Sequence, residues 1–164
     1  MAARRKLTKK PATGGAATAA SKHAEGVRER NQKLDAVTVS VIKDSASSVH
    51  QKILKTGKPE LSFPIRSLQN VSYSQQRGYF EIGRQRKTRT LTVNTVKSFA
   101  QTLRMMGLSK QLVETNDFAT KRDAYYQSKN WDEARFDEQT ESDAVMDDIE
   151  AMCSVRGADR KSVV

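Results

Sequence analysis

The sequence TKRDAYYQSK occupies residues 120–129 and carries the clearest local structural signal in the chain. Thr120 is followed three residues later by Asp123, which is the spacing of a capping box at the start of a helix. In a capping box the first side chain accepts a hydrogen bond from the third helical N–H, and the third side chain accepts one from the capping residue. The stretch therefore predicts a short helix that begins directly after Thr120.

Two side chains of this short helix share a face. Arg122 and Tyr126 are four residues apart, so a helix places them one above the other, whereas Tyr125 points about 100° away. A phenol beside a fixed positive charge can attack a phosphodiester while the arginine holds the phosphate. On spacing alone the simpler interpretation is that the tyrosines pack and the arginine is solvated. The rest of the chain must distinguish these interpretations.

The composition indicates a polyanionic binding partner. The chain has 164 residues and a formal net charge of +10. Basic proteins associate with polyanions, of which nucleic acid is the first candidate. The only cysteine, Cys153, excludes an intrachain disulfide and a cysteine-based metal cluster. No apolar run is long enough to predict a membrane span.

The charge is distributed unevenly along the chain. Residues 1–33 hold nine lysines and arginines against two acids, whereas residues 131–150 hold nine acids against one arginine. Residues 1–26 are rich in small and basic side chains and cannot bury enough surface to offset the entropy cost of ordering. They are therefore predicted to form a disordered basic arm.

An N-terminal helical segment is expected at residues 27–56. Apolar side chains recur at helical spacing from residue 42 to residue 53. Residues 38–41 alternate as in a strand, which leaves the start of the helix open. Gly57 and Pro59 predict its end.

Residues 61–93 change to the two-residue period of β-strands. Apolar side chains alternate in four short runs, with turns at residues 74–78 and near Gly83. These runs predict a small antiparallel sheet of two to four strands, and Pro64 marks the first strand as an edge.

Basic side chains cluster between residues 84 and 89, beside the last of these turns. One interpretation is a solvated strand edge that resists aggregation, and the other is a wing that contacts phosphates. Both stay open. The residues expected to contact DNA are Lys121, Arg84, Arg86, Lys87 and Arg89.

The most regular helical pattern follows Asn94, a favourable N-cap residue. This helix is expected to end at a turn at residues 116–117, which leads into the short helix at 120–129. The predicted order of elements is a helix, a small sheet, a second helix and a short basic helix. This is the order in a winged-helix variant of the helix-turn-helix fold. The predicted fold class is therefore α+β, with a winged-helix domain at residues 57–130 that contains the tyrosine pair.

An acidic helical segment is expected at residues 131–152, because apolar residues from 145 to 152 are helically spaced. Asp147 and Asp148 are adjacent and point in different directions on a helix, so they indicate a solvated acidic face rather than a metal site. Residues 153–164 show no period, and their abrupt change of charge indicates an irregular tail, as from a segment read out of frame.

Three pieces of the sequence together resemble a known family. They are FPIRSLQNVSY at residues 63–73, GYFEIG at residues 78–83 and, above all, TKRDAYY at residues 120–126. These pieces are similar to the A subunit of archaeal DNA topoisomerase VI, a type IIB topoisomerase related to the meiotic double-strand-break proteins. The resemblance covers about residues 30–152.

The resemblance implies an enzyme that makes a staggered double-strand break in DNA, with a tyrosine of each of two A subunits joined to a 5′ end. It assigns the nucleophile to Tyr126 and the phosphate clamp to Arg122, and it leaves Tyr125 as a packing neighbour. It further implies a partner ATPase, the B subunit of the family, together with a second A subunit and a cytoplasmic, nucleoid-associated location.

The resemblance also implies a limit. The family continues into a Toprim domain whose Glu and Asp-x-Asp carboxylates bind Mg²⁺, and the sequence ends near the point where that domain is expected. We therefore expect no Mg²⁺ ligands in this chain, and DNA binding without efficient cleavage by the chain alone. The alternatives for the nature of this chain are a truncated or frameshifted product, a short paralogue and a non-catalytic winged-helix DNA-binding protein.

Overall fold

The computed structural model of the protein describes residues 15–76 and 78–159, with the side chains of residues 24–154 apart from residues 77 and 79. The chain divides into two compact units, residues 1–33 and residues 34–164. In the first unit, residues 24–33 are helical and exposed. The second unit contains the described strands, the core and the residues expected to form a site.

The first helix, α1 (Gly15–Thr56), begins earlier than the sequence pattern indicated. Residues 15–26, expected to belong to a disordered arm, are helical, and their abundant alanines have the highest intrinsic helix propensity. The rest of the expected arm, residues 1–14, lies outside the described residues. The alternation at residues 38–41 does not produce a strand, because these residues continue the helix with Val41 buried.

In the part of the chain that the structure describes, four short strands form two antiparallel pairs, which are not hydrogen-bonded into one sheet. β1 (Glu60–Pro64) pairs with β4 (Arg86–Thr90), and β2 (Val71–Ser74) pairs with β3 (Tyr79–Ile82). Pro64 therefore lies in a strand that pairs on one side only, which suits a residue without an N–H donor. The predicted combination of helices with small antiparallel sheets, an α+β class, is confirmed.

The buried Asn70 joins the two strand pairs. Its Nδ2 donates hydrogen bonds to the carbonyl oxygens of Ile65 at 2.7 Å and Gln85 at 3.1 Å, and its Oδ1 accepts one from the Gln85 N–H at 3.1 Å. The N–H of Gly83 donates to the Asn70 carbonyl oxygen. A Cβ on Gly83 would lie 2.5 Å from the Asn70 Oδ1, so the close approach requires glycine.

The second helix, α2 (Val96–Thr115), does not use Asn94 as its N-cap. Thr95 occupies that position, and its hydroxyl donates a hydrogen bond to the carbonyl oxygen of Thr90 at 2.6 Å instead of capping the helix. The prediction of Asn94 was wrong because this hydroxyl ties the helix start to the end of β4. At the other end, Asn116 adopts the left-handed conformation, with φ of 52°, and turns the chain as expected.

Two further α-helices follow among the described residues, α3 (Lys121–Ser128) and α4 (Gln139–Asp159). α4 is longer than the pattern indicated, because the helix continues past residue 152 as far as Asp159. The Ser154 hydroxyl donates a hydrogen bond to the Glu150 carbonyl oxygen at 2.9 Å. The expected irregular tail is therefore helical as far as Asp159, and its remainder lies outside the described residues.

The core lies where α4 packs against α2, α3 and β1. Because Ala124 of α3 is fully buried there, the opposite face of α3 points to solvent. None of the described helices combines the length and apolar character needed to cross a membrane. The buried apolar residues that form this core cluster are Val41, Ile42, Val49, Leu61, Phe63, Phe99, Met105, Met106, Ala124, Phe136, Val145, Ile149 and Met152.

Candidate functional site

The capping box expected at the start of α3 is present. Thr120 Oγ1 accepts a hydrogen bond from the Asp123 N–H at 3.1 Å, and Asp123 Oδ2 accepts from the Thr120 N–H at 3.0 Å and from its hydroxyl at 2.6 Å. These bonds from Thr120, the hydroxyl first, hold the pKa of Asp123 below its usual value, because they favour the charged carboxylate. The box fixes where α3 begins and hence which residues face solvent.

Arg122 and Tyr126 form a pair on the exposed face of α3, as the spacing predicted. The Arg122 Nε donates a hydrogen bond to the Tyr126 phenol oxygen at 3.2 Å, and the guanidinium carbon lies 5.7 Å from the centre of the ring. The hydrogen bond to Tyr126 raises the pKa of Arg122 above its usual value. Tyr126 is 53% exposed, so a large ligand can reach its oxygen.

Tyr125 has a different environment from its neighbour, also as predicted. Its ring is half-buried against the core, and its hydroxyl donates a hydrogen bond to the Asp137 carbonyl oxygen at 3.1 Å. Lys129 Nζ lies 4.3 Å from the centre of the Tyr125 ring and donates to the Phe136 carbonyl oxygen at 2.7 Å. Tyr125 and Lys129 therefore hold α3 against the segment that leads into α4.

Lys121, the first residue of α3, is ion-paired with α4. Its Nζ contacts Asp147 Oδ1, and the other oxygen of the same carboxylate accepts a hydrogen bond from Arg66 Nη1 at 2.9 Å. Lys121 first, and then Arg66, hold the pKa of Asp147 below its usual value. The same contact raises the pKa of Lys121. One carboxylate thus connects the segment after β1 with the start of α3.

Lys87 and Arg89, in β4, are engaged by the next residue of α4. Asp148 is 3% exposed at its side chain, with Lys87 Nζ 2.8 Å from its Oδ1 and Arg89 Nη2 3.5 Å from its Oδ2. Arg66 Nε lies 3.7 Å away, and Arg89 also donates to the Thr102 hydroxyl. A carboxylate taken out of water requires such compensation. Lys87 and Arg89 therefore have a structural partner in this protein.

Arg84 and Arg86 differ from these two neighbours. Both are exposed, and neither makes an ion pair with a residue that the structure describes. Of the five residues expected to contact DNA, three are thus paired with α4 and two face solvent.

The part of the chain that contains these helices matches a known protein family. Residues 97–159, which include α3, α4 and all of α2 except its first residue, match the model of the family described as type IIB DNA topoisomerase. This part of the chain is similar to the type IIB DNA topoisomerase family.

Individual relatives of the topoisomerase family agree with the match. The chain is 47% identical over 110 residues to the A subunit of type 2 DNA topoisomerase 6 from Methanocaldococcus jannaschii, covering 67% of the chain and 30% of that protein. It is 34% identical over 110 residues to the same subunit from Aeropyrum pernix (60% and 28%) and 35% identical over 107 residues to that from Pyrococcus horikoshii (62% and 28%). The chain spans about three tenths of these relatives' length. No solved structure matches it significantly.

The resemblance to the A subunit of topoisomerase VI is thereby confirmed, and it concerns the N-terminal part of that protein. The region matched by the family model includes Arg122, Tyr126 and Asp147. It does not include β4, which carries Lys87 and Arg89.

The Mg²⁺ ion that the sequence resemblance implies does not fit the described residues. They contain no group of three or more histidine, cysteine, aspartate and glutamate side chains that could hold a metal ion. Asp147 and Asp148 are bound by lysine and arginine side chains, so their oxygens already have cationic partners. No chemical step is assigned to Mg²⁺ on these residues.

Sequence reasoning missed Arg66 and Asp147 as partners in this topoisomerase homologue. They are 81 residues apart, and no local period connects them. The only available signal was the opposite charge of the two regions, which does not identify pairs. Lys129 was also missed, although its spacing of four from Tyr125 places both on one helix face.

Proposed function

We propose that this chain is the DNA-binding, tyrosine-bearing part of the A subunit of a type IIB DNA topoisomerase. The observation that supports this most directly is the exposed Arg122–Tyr126 pair, with 3.2 Å between nitrogen and phenol oxygen. Tyr126 is the nucleophile and Arg122 is the phosphate clamp in this proposal. Tyr125 holds α3 in place, because its hydroxyl and ring are engaged with the protein.

The proposed reaction conserves the energy of the phosphodiester bond. The Tyr126 oxygen attacks the phosphorus and loses its proton, while the bond from phosphorus to the 3′ oxygen breaks and that oxygen gains a proton. The product is a tyrosine joined to the 5′ end, and the released 3′ hydroxyl reverses the step during religation. Arg122 supplies a charged donor to the phosphate oxygens as charge develops on them.

DNA approaches α3 across a basic surface in this proposal, with a winged-helix arrangement of α2, α3 and the strand pairs. Arg84 and Arg86 are the strand-side residues best placed to contact phosphates, because they are exposed and unpaired with any described residue. Lys87 and Arg89 contribute less, because Asp148 already engages them.

The remaining components of the proposed enzyme are supplied outside the described residues. They are the double-stranded DNA substrate and a second A subunit. An ATPase like the B subunit of topoisomerase VI binds ATP, and a Toprim domain holds Mg²⁺. The expected location is the cytoplasm, in association with the nucleoid.

A cleavage assay with tyrosine variants tests the proposed nucleophile. The 164-residue chain is combined with labelled duplex DNA, Mg²⁺, ATP, the B subunit of a topoisomerase VI and a fragment of its A subunit that carries the Toprim domain. Wild type is expected to form a denaturant-resistant protein–DNA adduct, and Tyr126→Phe is expected to form none. Tyr125→Phe is the matched control, since it also removes one tyrosine hydroxyl from α3.

Two results would contradict this assignment. An adduct formed equally by Tyr126→Phe would exclude Tyr126 as the nucleophile. A wild-type chain that binds DNA without any adduct would favour the second candidate function, a non-catalytic DNA-binding protein that retains the motif.

A further inference from the structure

The two adjacent acids of α4 differ in their access to solvent. The side chain of Asp148 is 3% exposed, whereas that of Asp147 is 27% exposed. The cations that hold Asp147 are also accessible, with Lys121 49% and Arg66 40% exposed at their side chains. Ion pairs in contact with water have a small net stability, so an external anion can displace the Asp147 carboxylate from them.

Lys121 and Arg66 surround the Asp147 carboxylate as they would surround a bound anion. Lys121 contacts one carboxylate oxygen and Arg66 donates to the other at 2.9 Å. A phosphate group presents oxygens in a similar way, and arginine and lysine are the side chains that bind phosphates. The two cations come from different elements, the start of α3 and the segment after β1, and the Asp147 carboxylate lies between them.

We propose that Lys121 and Arg66 form a binding site for a backbone phosphate of DNA, and that Asp147 occupies this site when no DNA is bound. The proposal rests on the proposed DNA-binding function. Lys121 directly precedes Arg122 in the chain, so the phosphate held here belongs to the same DNA segment as the phosphate held by Arg122. Asp147 therefore weakens non-specific DNA binding until a duplex is aligned on α3.

The test measures the affinity of the 164-residue chain for a labelled duplex by fluorescence anisotropy, over a series of KCl concentrations. Asp147→Asn is expected to tighten binding about three- to tenfold at fixed salt. It is also expected to steepen the dependence of log affinity on log salt concentration by about 1 to 2, because Lys121 loses its ion pair and Arg66 keeps only its 3.7 Å contact with Asp148.

Glu133→Gln is the matched control for this variant. Glu133 is exposed and makes no ion pair within the described part of the chain, and the substitution removes the same single negative charge. Its effect on affinity and salt dependence is expected to be much smaller. Equal affinity gains in Asp147→Asn and Glu133→Gln would overturn the proposal, because only the net charge would then matter.

A second pair of variants keeps the proposal testable if circular dichroism shows that Asp147→Asn does not fold. Lys121→Gln is compared with Lys43→Gln, whose lysine pairs with Glu114 at 3.3 Å. Lys121→Gln is expected to lower the salt dependence of DNA binding by about 1, whereas Lys43→Gln leaves it nearly unchanged. Equal slopes for the two variants would overturn the proposal.

A final arm separates a DNA phosphate from a free phosphate. Inorganic phosphate replaces chloride at equal ionic strength in the titrations of wild type and Asp147→Asn. A retained affinity gain supports a backbone phosphate, and a gain abolished by inorganic phosphate would overturn the DNA assignment. If wild type binds no duplex at any salt concentration, the proposed function itself fails. If wild type binds the duplex and Asp147→Asn binds it no more tightly, only the proposal for Asp147 fails.

Discussion

The Nε of Arg122 lies 3.2 Å from the phenol oxygen of Tyr126, one helical turn away on the exposed face of α3. Both side chains are largely free of the core, so the pair contributes little to folding. The capping box at Thr120 and the contacts of Tyr125 and Lys129 hold the helix instead. The pair is therefore positioned by its neighbours and open to a ligand.

Arg122→Gln tests the role of the guanidinium. We expect the free energy of unfolding to change by less than about 0.5 kcal/mol, because the side chain is exposed. Covalent adduct formation in the reconstituted assay is expected to fall by about a hundredfold or more, since a charged donor to the phosphate is lost. Urea unfolding and a timed cleavage assay measure the two quantities. An unchanged rate of adduct formation would show that Arg122 does not hold the reacting phosphate.

Asp148→Asn tests the buried ion pairs. The substitution leaves Lys87 and Arg89 without their buried partner, and we expect a loss of about 3 to 5 kcal/mol in the free energy of unfolding. Asp147→Asn is the neighbouring control, and its more exposed pair predicts a loss of about 1 kcal/mol or less. Urea unfolding of both variants checks the difference, and similar losses would contradict the distinction between the two acids.

Gly83→Ala tests the contact that joins the strand pairs. An added Cβ would lie 2.5 Å from Asn70 Oδ1, so the Asn70 hydrogen bonds must shift or break, at a cost of about 1 to 3 kcal/mol. Gly107→Ala in α2 is the control, because its added Cβ meets no atom within 4 Å apart from its chain neighbours and the backbone of its own helix. That variant is expected to gain about 0.5 to 1 kcal/mol from helix propensity. Thermal unfolding of both variants measures these opposite shifts, and a stabilised Gly83→Ala would contradict the described packing.

Asp147 predicts a specific dependence of stability on pH. Its folded-state pKa is lowered from the ordinary value of 3.8 by Lys121 and Arg66. A lowered carboxylate pKa adds stability that is present above the unfolded-state pKa and is lost as the pH falls through the folded-state value. The stability difference between wild type and Asp147→Asn is therefore expected to be larger at about pH 6 than at about pH 2.5. Urea unfolding at both pH values checks this, and a constant difference would contradict it.

Local signals in the sequence predicted the part of the site that lies within one helix. The capping box at Thr120, the shared face of Arg122 and Tyr126 and the separate environment of Tyr125 depend on spacings of one to four residues. Helix geometry fixes such relations without knowledge of the rest of the fold. The antiparallel pairing and the α+β class also followed from the change of period along the chain.

Long-range relations could not be predicted in the same way. The Arg66–Asp147 pair joins residues 81 positions apart, and the partners of Asp148 lie in β4. Opposite charge permits many such pairs, and only the packing of α4 selects these. The N-cap of α2 was missed for a related reason, because the Thr95 hydroxyl serves the end of β4.

Mapping the DNA-bearing residue of the trapped adduct tests the central claim most directly. Trypsin cleaves after Arg122 and Lys129 and releases residues 123–129, a peptide that contains both tyrosines. Mass spectrometry with fragmentation then assigns the phosphonucleotide to one of them. We predict that it is carried by Tyr126 through its phenol oxygen. A modification on Tyr125, or on any residue outside this peptide, would contradict the assignment of Tyr126 as the nucleophile.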